Sequence, residues 1–330
     1  MYQSLQQHCK NFHLYVFAFD NACYDFLASQ QYEHVTVISL QEFEDIDLLN
    51  IKPTRTATEY CWTCTPSTIL YCIKTFNIYH CTYIDADLYF YADPLTLIDE
   101  MKDNAVLITE HRYTKEYDQS AESGIYCVQF ITFKNTIQGM EVLHWWRNAC
   151  IDWCYAKPEN GKFGDQKYLD DWTARFKDVH VLQHLGGGIA PWNVQQYTFQ
   201  KENDRIVGVK TSTKKCFKVI FFHFHGVKFY KKNIVLLSGV LYALTKQAKN
   251  IFYKNYIYKL IEIEKNIQQL NTTLYLPTLL QKSPKQPLNR WVVIKLYYKN
   301  VKNSFRNIFG RNLNHKLDHY HYHTIKKFID

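Results

Sequence analysis

Glycine and proline are scarce, 11 and 8 among 330 residues, which excludes collagen-like repeats and low-complexity, loop-stapled scaffolds. Long apolar runs are also missing. The uncharged stretch 233–245 covers 13 residues, whereas a membrane-spanning helix needs about 20. The opening Met1-Tyr2-Gln3-Ser4-Leu5-Gln6-Gln7-His8 lacks the basic and apolar regions of an export signal, so a cytoplasmic protein is expected. No internal repeat is present. The chain does carry 26 Tyr, 21 Phe and 7 Trp, with 47% apolar and 21% charged residues, enough for a large and strongly aromatic core. Ten cysteines are scattered through apolar segments from Cys9 to Cys216, the usage of reduced, buried thiols.

Charge is unevenly spread. From Val227 onward there are 19 Lys+Arg and 4 Asp+Glu, against 20 and 27 in the residues before it, so an acidic body carries a basic tail. The body alternates β-rich runs, at 13–19, 34–38, 80–84 and 105–108, with helical periods, the pattern of a mostly parallel sheet covered by helices. Thr65-Pro66-Ser67-Thr68 is expected to open a helix reaching Phe76. A second is expected over 139–155, where Val142, Trp146, Ala149, Cys150 and Trp153 recur at helical spacing as core. In the tail, Trp291, Ile294, Tyr298, Val301, Phe305 and Ile308 form one apolar helical stripe flanked by Lys295, Lys299, Lys302 and Arg306. That suits either a helix lying on anionic lipid or one packed on the body. Leu241, Leu244, Ala248, Ile251 and Phe252 outline a weaker amphipathic helix.

The chemistry concentrates in four segments. Asp85-Ala86-Asp87 follows a strand that runs out at Ile84, so two carboxylates at i and i+2 project where open α/β folds bind ligands, and they suit a hard divalent cation. Asp45-Ile46-Asp47 has the same spacing without a buried strand before it and reads as surface. Asp165 and Gln166 sit at a glycine-relaxed turn opening a helix. Gly186-Gly187-Gly188-Ile189-Ala190-Pro191-Trp192-Asn193 is a flexible loop ending in a rigid turn, and Phe222-His223-Phe224-His225-Gly226-Val227-Lys228 delivers two imidazoles, a glycine and a lysine. The plain alternatives are turn caps for Asp85 and Asp87, an N-cap for Asp165, a core imidazole for His223 and surface charge for Lys228. Cys61-x-x-Cys64 lacks a redox or zinc context, and the histidines from His315 to His323 read as a frayed tail. Asn271-Thr272-Thr273 would accept a glycan only in a secreted protein.

Taken in this order, the four segments resemble bacterial nucleotide-sugar glycosyltransferases with the GT-A fold, distantly similar to glycosyltransferase family eight, over residues 1–230. The resemblance implies an α/β, Rossmann-like mixed sheet flanked by helices at 1–232, followed by a basic, mainly helical C-terminal region at 233–330. It implies that Asp85, Asp87 and His223 hold Mn²⁺ or Mg²⁺, His223-x-x-Gly226 matching the family's His-x-x-Gly with His225 as competitor. Donor contacts fall to Asp85, Ala86, Asp87, Asn193, Gly226 and Lys228, the lysine one residue nearer the glycine than in family eight. Asp165 and Gln166 are the catalytic pair, with inversion or retention left open. Two departures stand out. Residues 2–9 resemble the helix after the fold's first strand, so that strand is expected to be missing. Cys127 occupies a position where related sequences tend to carry Asn.

The expected activity is therefore metal-dependent transfer of a sugar from a nucleoside diphosphate sugar, UDP-sugars favoured, to a saccharide or lipid-linked acceptor in cell-surface polysaccharide or lipopolysaccharide synthesis. The tail would hold the enzyme peripherally at the inner face of the plasma membrane. The alternative is a catalytically impaired, transferase-like binding protein whose basic tail binds nucleic acid or acidic glycan.

Overall fold

The computed structural model describes residues 1–203, 205–230, 233–238, 242–270 and 322–329. It divides into two compact units, one built from Met1–Arg112, Gln119–Gly188 and Val219–Phe221, the other from Tyr113–Asp118, Ile189–Lys218 and Phe222–Asp330. Both are mixtures of helices and small sheets. No helix among the described residues is long and apolar enough to cross a membrane. The apolar stripe expected over 291–308, Asn271, His315, His319 and His321 lie outside the described residues.

The first unit begins with α1 (Tyr2–His8), β1 (Leu14–Ala18), α2 (Asn21–Gln30) and β2 (Val35–Ser39). β1 and β2 pair in parallel, from Leu14 opposite Val35 to Ala18 opposite Ser39, joined by the helical crossover that parallel pairing requires. After the short α3 (Leu40–Phe43) and α4 (Ile46–Ile51) comes α5 (Ala57–Phe76). This helix starts well before the expected opening at Pro66. Thr56 and Glu59 form a reciprocal capping box that satisfies its first N–H groups. Pro66 instead lies inside the helix, where the Thr63 hydroxyl donates back to the Glu59 carbonyl at 2.8 Å.

Next come β3 (His80–Ile84), β4 (Leu88–Phe90), α6 (Leu95–Asp99), β5 (Val106–Glu110), α7 (Ser120–Ser123), β6 (Tyr126–Lys134), α8 (Ile137–Asp152), α9 (Trp172–Arg175) and β7 (Val179–Val181). The sheet order is β3-β6-β5-β7, antiparallel except for β5 with β7. Both faces are buried, so β5 reads as continuous apolar sequence. Val106 and Ile108 join the cluster with Ile69, Ile73, Val142 and Trp146, while Leu107 turns to the one with Leu88, Phe90, Leu97 and Phe221. Trp146, fully buried on α8, stacks on Phe133 at 6.0 Å and meets Trp172 edge-on at 5.4 Å. α8 starts where Thr136 accepts the Gly139 N–H and ends before Trp153.

The second unit pairs β8 (Tyr197–Glu202), β9 (Arg205–Lys210) and β10 (Cys216–Lys218) in antiparallel fashion. Gly208 faces Phe217, and a Cβ there would lie 2.3 Å from the ring, so only glycine lets that aromatic cover the sheet. β11 (Phe221–His223) leads to a second antiparallel sheet of β12 (Lys228–Tyr230), β13 (Ile234–Leu236) and β14 (Tyr322–Thr324). The helices are α10 (Lys246–Ala248), a π-helical turn at Lys249–Tyr253, α11 (Lys254–Leu270) and α12 (Lys326–Ile329). Leu244 precedes α10 in non-helical backbone. The core is aromatic: Phe222 stacks on Phe252 at 4.7 Å, and Phe224 on Tyr256 at 3.7 Å. The Gln247 amide, at the head of this region, bonds both the N–H and the carbonyl of Phe199.

Candidate functional site

In the first unit β3 runs out at Ile84, and the chain turns before β4. The Asp85 N–H donates to the Gln129 carbonyl at 3.1 Å, and the Leu88 N–H to the Asp85 carbonyl at 3.3 Å. Asp85 and Asp87 are half-buried and Ala86 is exposed. Tyr83, two residues earlier on the same strand face, donates its hydroxyl to Asp85 Oδ1 at 3.0 Å. A second carboxylate comes from far along the chain. Asp165 is only 6% exposed, and its pKa is raised to about 7, first by desolvation and then by the Asp85 charge, while the Thr65 hydroxyl and local backbone N–H groups pull it down. The Cys61 thiol on α5 is pushed up to about 11, by desolvation first and then by Asp165 and Asp85. Asp85, Asp165 and Cys61 thus influence one another's ionisation, with Thr65 bonded to Asp165 and Tyr83 to Asp85.

Hydrogen bonds tie the turn that carries Asp165 to neighbouring elements. The Trp146 indole N–H donates to the Asp165 carbonyl oxygen at 2.9 Å, and the Gln166 amide donates to the Ser123 carbonyl at 2.6 Å. Gln166 is thereby tied to the end of α7. Asp165 does not cap the following 3-10 turn; Gln166 occupies that position without a side-chain bond. The glycine loop is held from one side chain. Arg112, itself at a positive φ of 51°, donates to the carbonyls of Leu182, His184 and Gly187. Gly188 has φ of 93°, a conformation that L side chains rarely adopt. Cys127 is buried on β6, opposite Thr109.

In the second unit Asn193 is fully buried. Its Oδ1 accepts the Ala190 N–H at 3.0 Å, and its own N–H donates to the Ala190 carbonyl at 3.1 Å, closing the Pro191 turn. His223 is 4% exposed, its backbone N–H bonded to the Ile189 carbonyl at 2.8 Å and its ring edge-on to Trp192 at 5.3 Å. His225 is exposed, with ring centroids 5.7 Å from both His223 and Trp192. Gly226 takes a positive φ of 83°, and Lys228 opens β12, exposed.

The other Asp-x-Asp pair behaves differently. Asp45 caps α4 by accepting the Leu48 N–H at 3.1 Å, and both Asp45 and Asp47 pair with Arg147 of α8. A fixed guanidinium thus answers these mostly exposed carboxylates. Cys61 and Cys64 lie one turn apart on α5, both free, Cys61 exposed and Cys64 buried and pushed up to about 12 by desolvation. Tyr83, Thr65 and Arg112 were not anticipated from sequence. Tyr83 had a signal, its i−2 spacing from Asp85 on a strand; Thr65 and Arg112 reach their partners only through the fold.

What these features define is a two-unit mixed α/β protein with a strand-end Asp-x-Asp and a desolvated aspartate in its first unit and a buried–exposed histidine pair in its second. No family model matches the sequence. It is similar to uncharacterized protein YfnD of Bacillus subtilis (strain 168), 33% identical over 233 residues, which cover 68% of this chain and 72% of YfnD. It is likewise similar to uncharacterized protein YfnF of the same organism, 31% identical over 242 residues, 71% of this chain and 78% of YfnF. The chain belongs to the family of YfnD and YfnF.

Proposed function

We propose that this protein is a metal-dependent glycosyltransferase of GT-A architecture, moving a sugar from a nucleoside diphosphate sugar to a saccharide or lipid-linked acceptor in cell-surface glycan synthesis. The observation that carries the reading is the strand-end Asp85-Ala86-Asp87, whose Asp85 carboxylate accepts the Tyr83 hydroxyl at 3.0 Å, in the same unit as the buried Asp165. The sequence assigns both carboxylates to one donor site, Asp85 to the metal and Asp165 to the sugar. The mixed sheet with helices and the Asp-x-Asp at a strand end support the architecture.

The donor chemistry fits a hard divalent cation. Asp85 and Asp87 supply carboxylate oxygens and His223 an imidazole nitrogen, with His225 as the competing imidazole; Asp87, His223 and His225 are a set of residue types suited to a metal ion. Bound there, Mn²⁺ or Mg²⁺ would neutralise charge building on the departing diphosphate. Tyr83 fixes the Asp85 carboxylate through its hydroxyl. Lys228 meets the same phosphate charge, and Ala86, Asn193 and Gly226 complete the donor-binding set. Asp165 takes the proton of the acceptor hydroxyl if the reaction inverts, or positions the donor sugar if it retains. Gln166, tied to Ser123, holds the turn that presents it.

The test is incubation with a panel of nucleoside diphosphate sugars and Mn²⁺, following release of the diphosphate by chromatography. One donor is expected to turn over, and Asp165→Asn to slow it by at least about 100-fold. Turnover unchanged in Asp165→Asn, or no turnover of any donor by the folded protein, would overturn the reading.

A further inference from the structure

Residues 205–261 carry 12 Lys+Arg and no Asp or Glu. In the second unit this charge reaches the surface around the β9–β10 hairpin. Backbone bonds from Lys210 N–H to the Lys215 carbonyl at 2.9 Å and from Lys214 N–H to the Lys210 carbonyl at 2.8 Å bring three lysines to one tip. Thr211, Ser212 and Thr213 occupy the rest of it, all exposed. Arg205 and Lys218 extend the charge along the sheet, both exposed. Among the described residues, none of Arg205, Lys210, Lys214, Lys215 and Lys218 pairs with a carboxylate, whereas Lys52, Lys157, Lys167 and Arg147 in the first unit all do. Arg205 stands opposite Glu202 in the β8–β9 register, and the four lysines, with no such partner, form a surface field that suits a polyanion.

The sheet's composition favours one kind of polyanion. Strand alternation turns Tyr197, Phe199 and Phe217 into the core and leaves Thr198, Gln200, Val207, Val209, Cys216 and Lys218 outside. The outer face therefore offers no ring on which a base could stack, the usual anchor of single-stranded nucleic acid. Four of the five cations are lysines, hydrated point charges rather than the planar forks that grip individual phosphates in bidentate fashion. Such charges act through the diffuse potential of a charged surface. We propose that the 210–215 hairpin tip, with Arg205 and Lys218, docks this protein on an anionic lipid bilayer. The inference rests on charge and exposure alone and stands apart from the transferase reading.

Co-sedimentation of the full chain with phosphatidylcholine vesicles, with and without phosphatidylserine, tests it. Binding is expected only to the anionic vesicles and is expected to weaken as salt screens the surface. The triple change Lys210→Gln, Lys214→Gln, Lys215→Gln should lower the affinity about 100-fold, with an unchanged circular dichroism spectrum as the check that the variant folds. The matching triple change to Arg should retain binding. Undiminished binding by the Gln variant, equal binding to neutral vesicles, or displacement from vesicles by equimolar short RNA would each overturn the proposal.

Discussion

Burial raises the Asp165 pKa to about 7, desolvation leading and the Asp85 charge adding to it, while an aspartate in an unfolded chain titrates near 3.9. A folded pKa above the unfolded one means that the native state holds the proton more tightly. The stability tied to this group is therefore complete below about pH 4 and is lost as pH rises through about 7. By pH 8 the buried charge costs up to about 4 kcal/mol. Asp165→Asn, which keeps the shape and removes the ionisation, should raise denaturant stability at pH 8, leave it nearly unchanged at pH 4 and slow the proposed sugar transfer by at least about 100-fold. A variant no more stable than its parent at pH 8 would contradict a desolvated carboxyl. Glu59 shows the opposite sign. Hydrogen bonds from the Ala156 N–H, the Thr56 N–H and the Thr56 hydroxyl hold its carboxyl below the usual range. Its contribution is present above about pH 4.3 and lost as pH falls through the lowered value. Thermal melts of Glu59→Ala should show a deficit of about 1 kcal/mol at pH 7 that shrinks at pH 3.

At the scale of elements, the stripe of α8 matters most, because Trp146 both fills the space between Phe133 and Trp172 and holds the Asp165 carbonyl. Trp146→Ala should cost about 3–5 kcal/mol in urea unfolding and weaken donor turnover as well; loss of stability alone would separate the core from the turn it supports. This stripe was legible because tryptophan, valine and cysteine recur at helical spacing. The strand-end position of Asp85 and Asp87 was legible for a similar reason, since Cys81-Thr82-Tyr83-Ile84 has the β-rich character of a strand that must stop where carboxylates begin. The start of α5 was misplaced because Pro66 looked like a first-turn proline, although Thr56-x-x-Glu59 already spelled a capping box. The Asp85–Asp165 association was expected only through the family resemblance, not through spacing, and the Arg112 clamp on the glycine loop was not legible at all. Each joins segments about 70 or more positions apart, and spacing along the chain carries no information about such meetings.

For the whole molecule, the division into two units sharpens the charge imbalance seen in the sequence. The first unit holds 13 Lys+Arg and 23 Asp+Glu, the second 26 and 8. The acidic unit carries the Asp-x-Asp and Asp165, as a cation-dependent site would need, and the basic unit carries Lys228 and the hairpin that suits anionic surfaces. The likeness to YfnD and YfnF covers 68% and 71% of this chain, so an activity found here is a direct expectation to test in those proteins. The most direct measurement is calorimetric titration of the intact chain with UDP, with and without Mn²⁺, repeated on Asp87→Asn. The proposed donor site predicts binding that requires both the metal and Asp87. Binding of UDP that is indifferent to Mn²⁺ and unaltered in Asp87→Asn would contradict it.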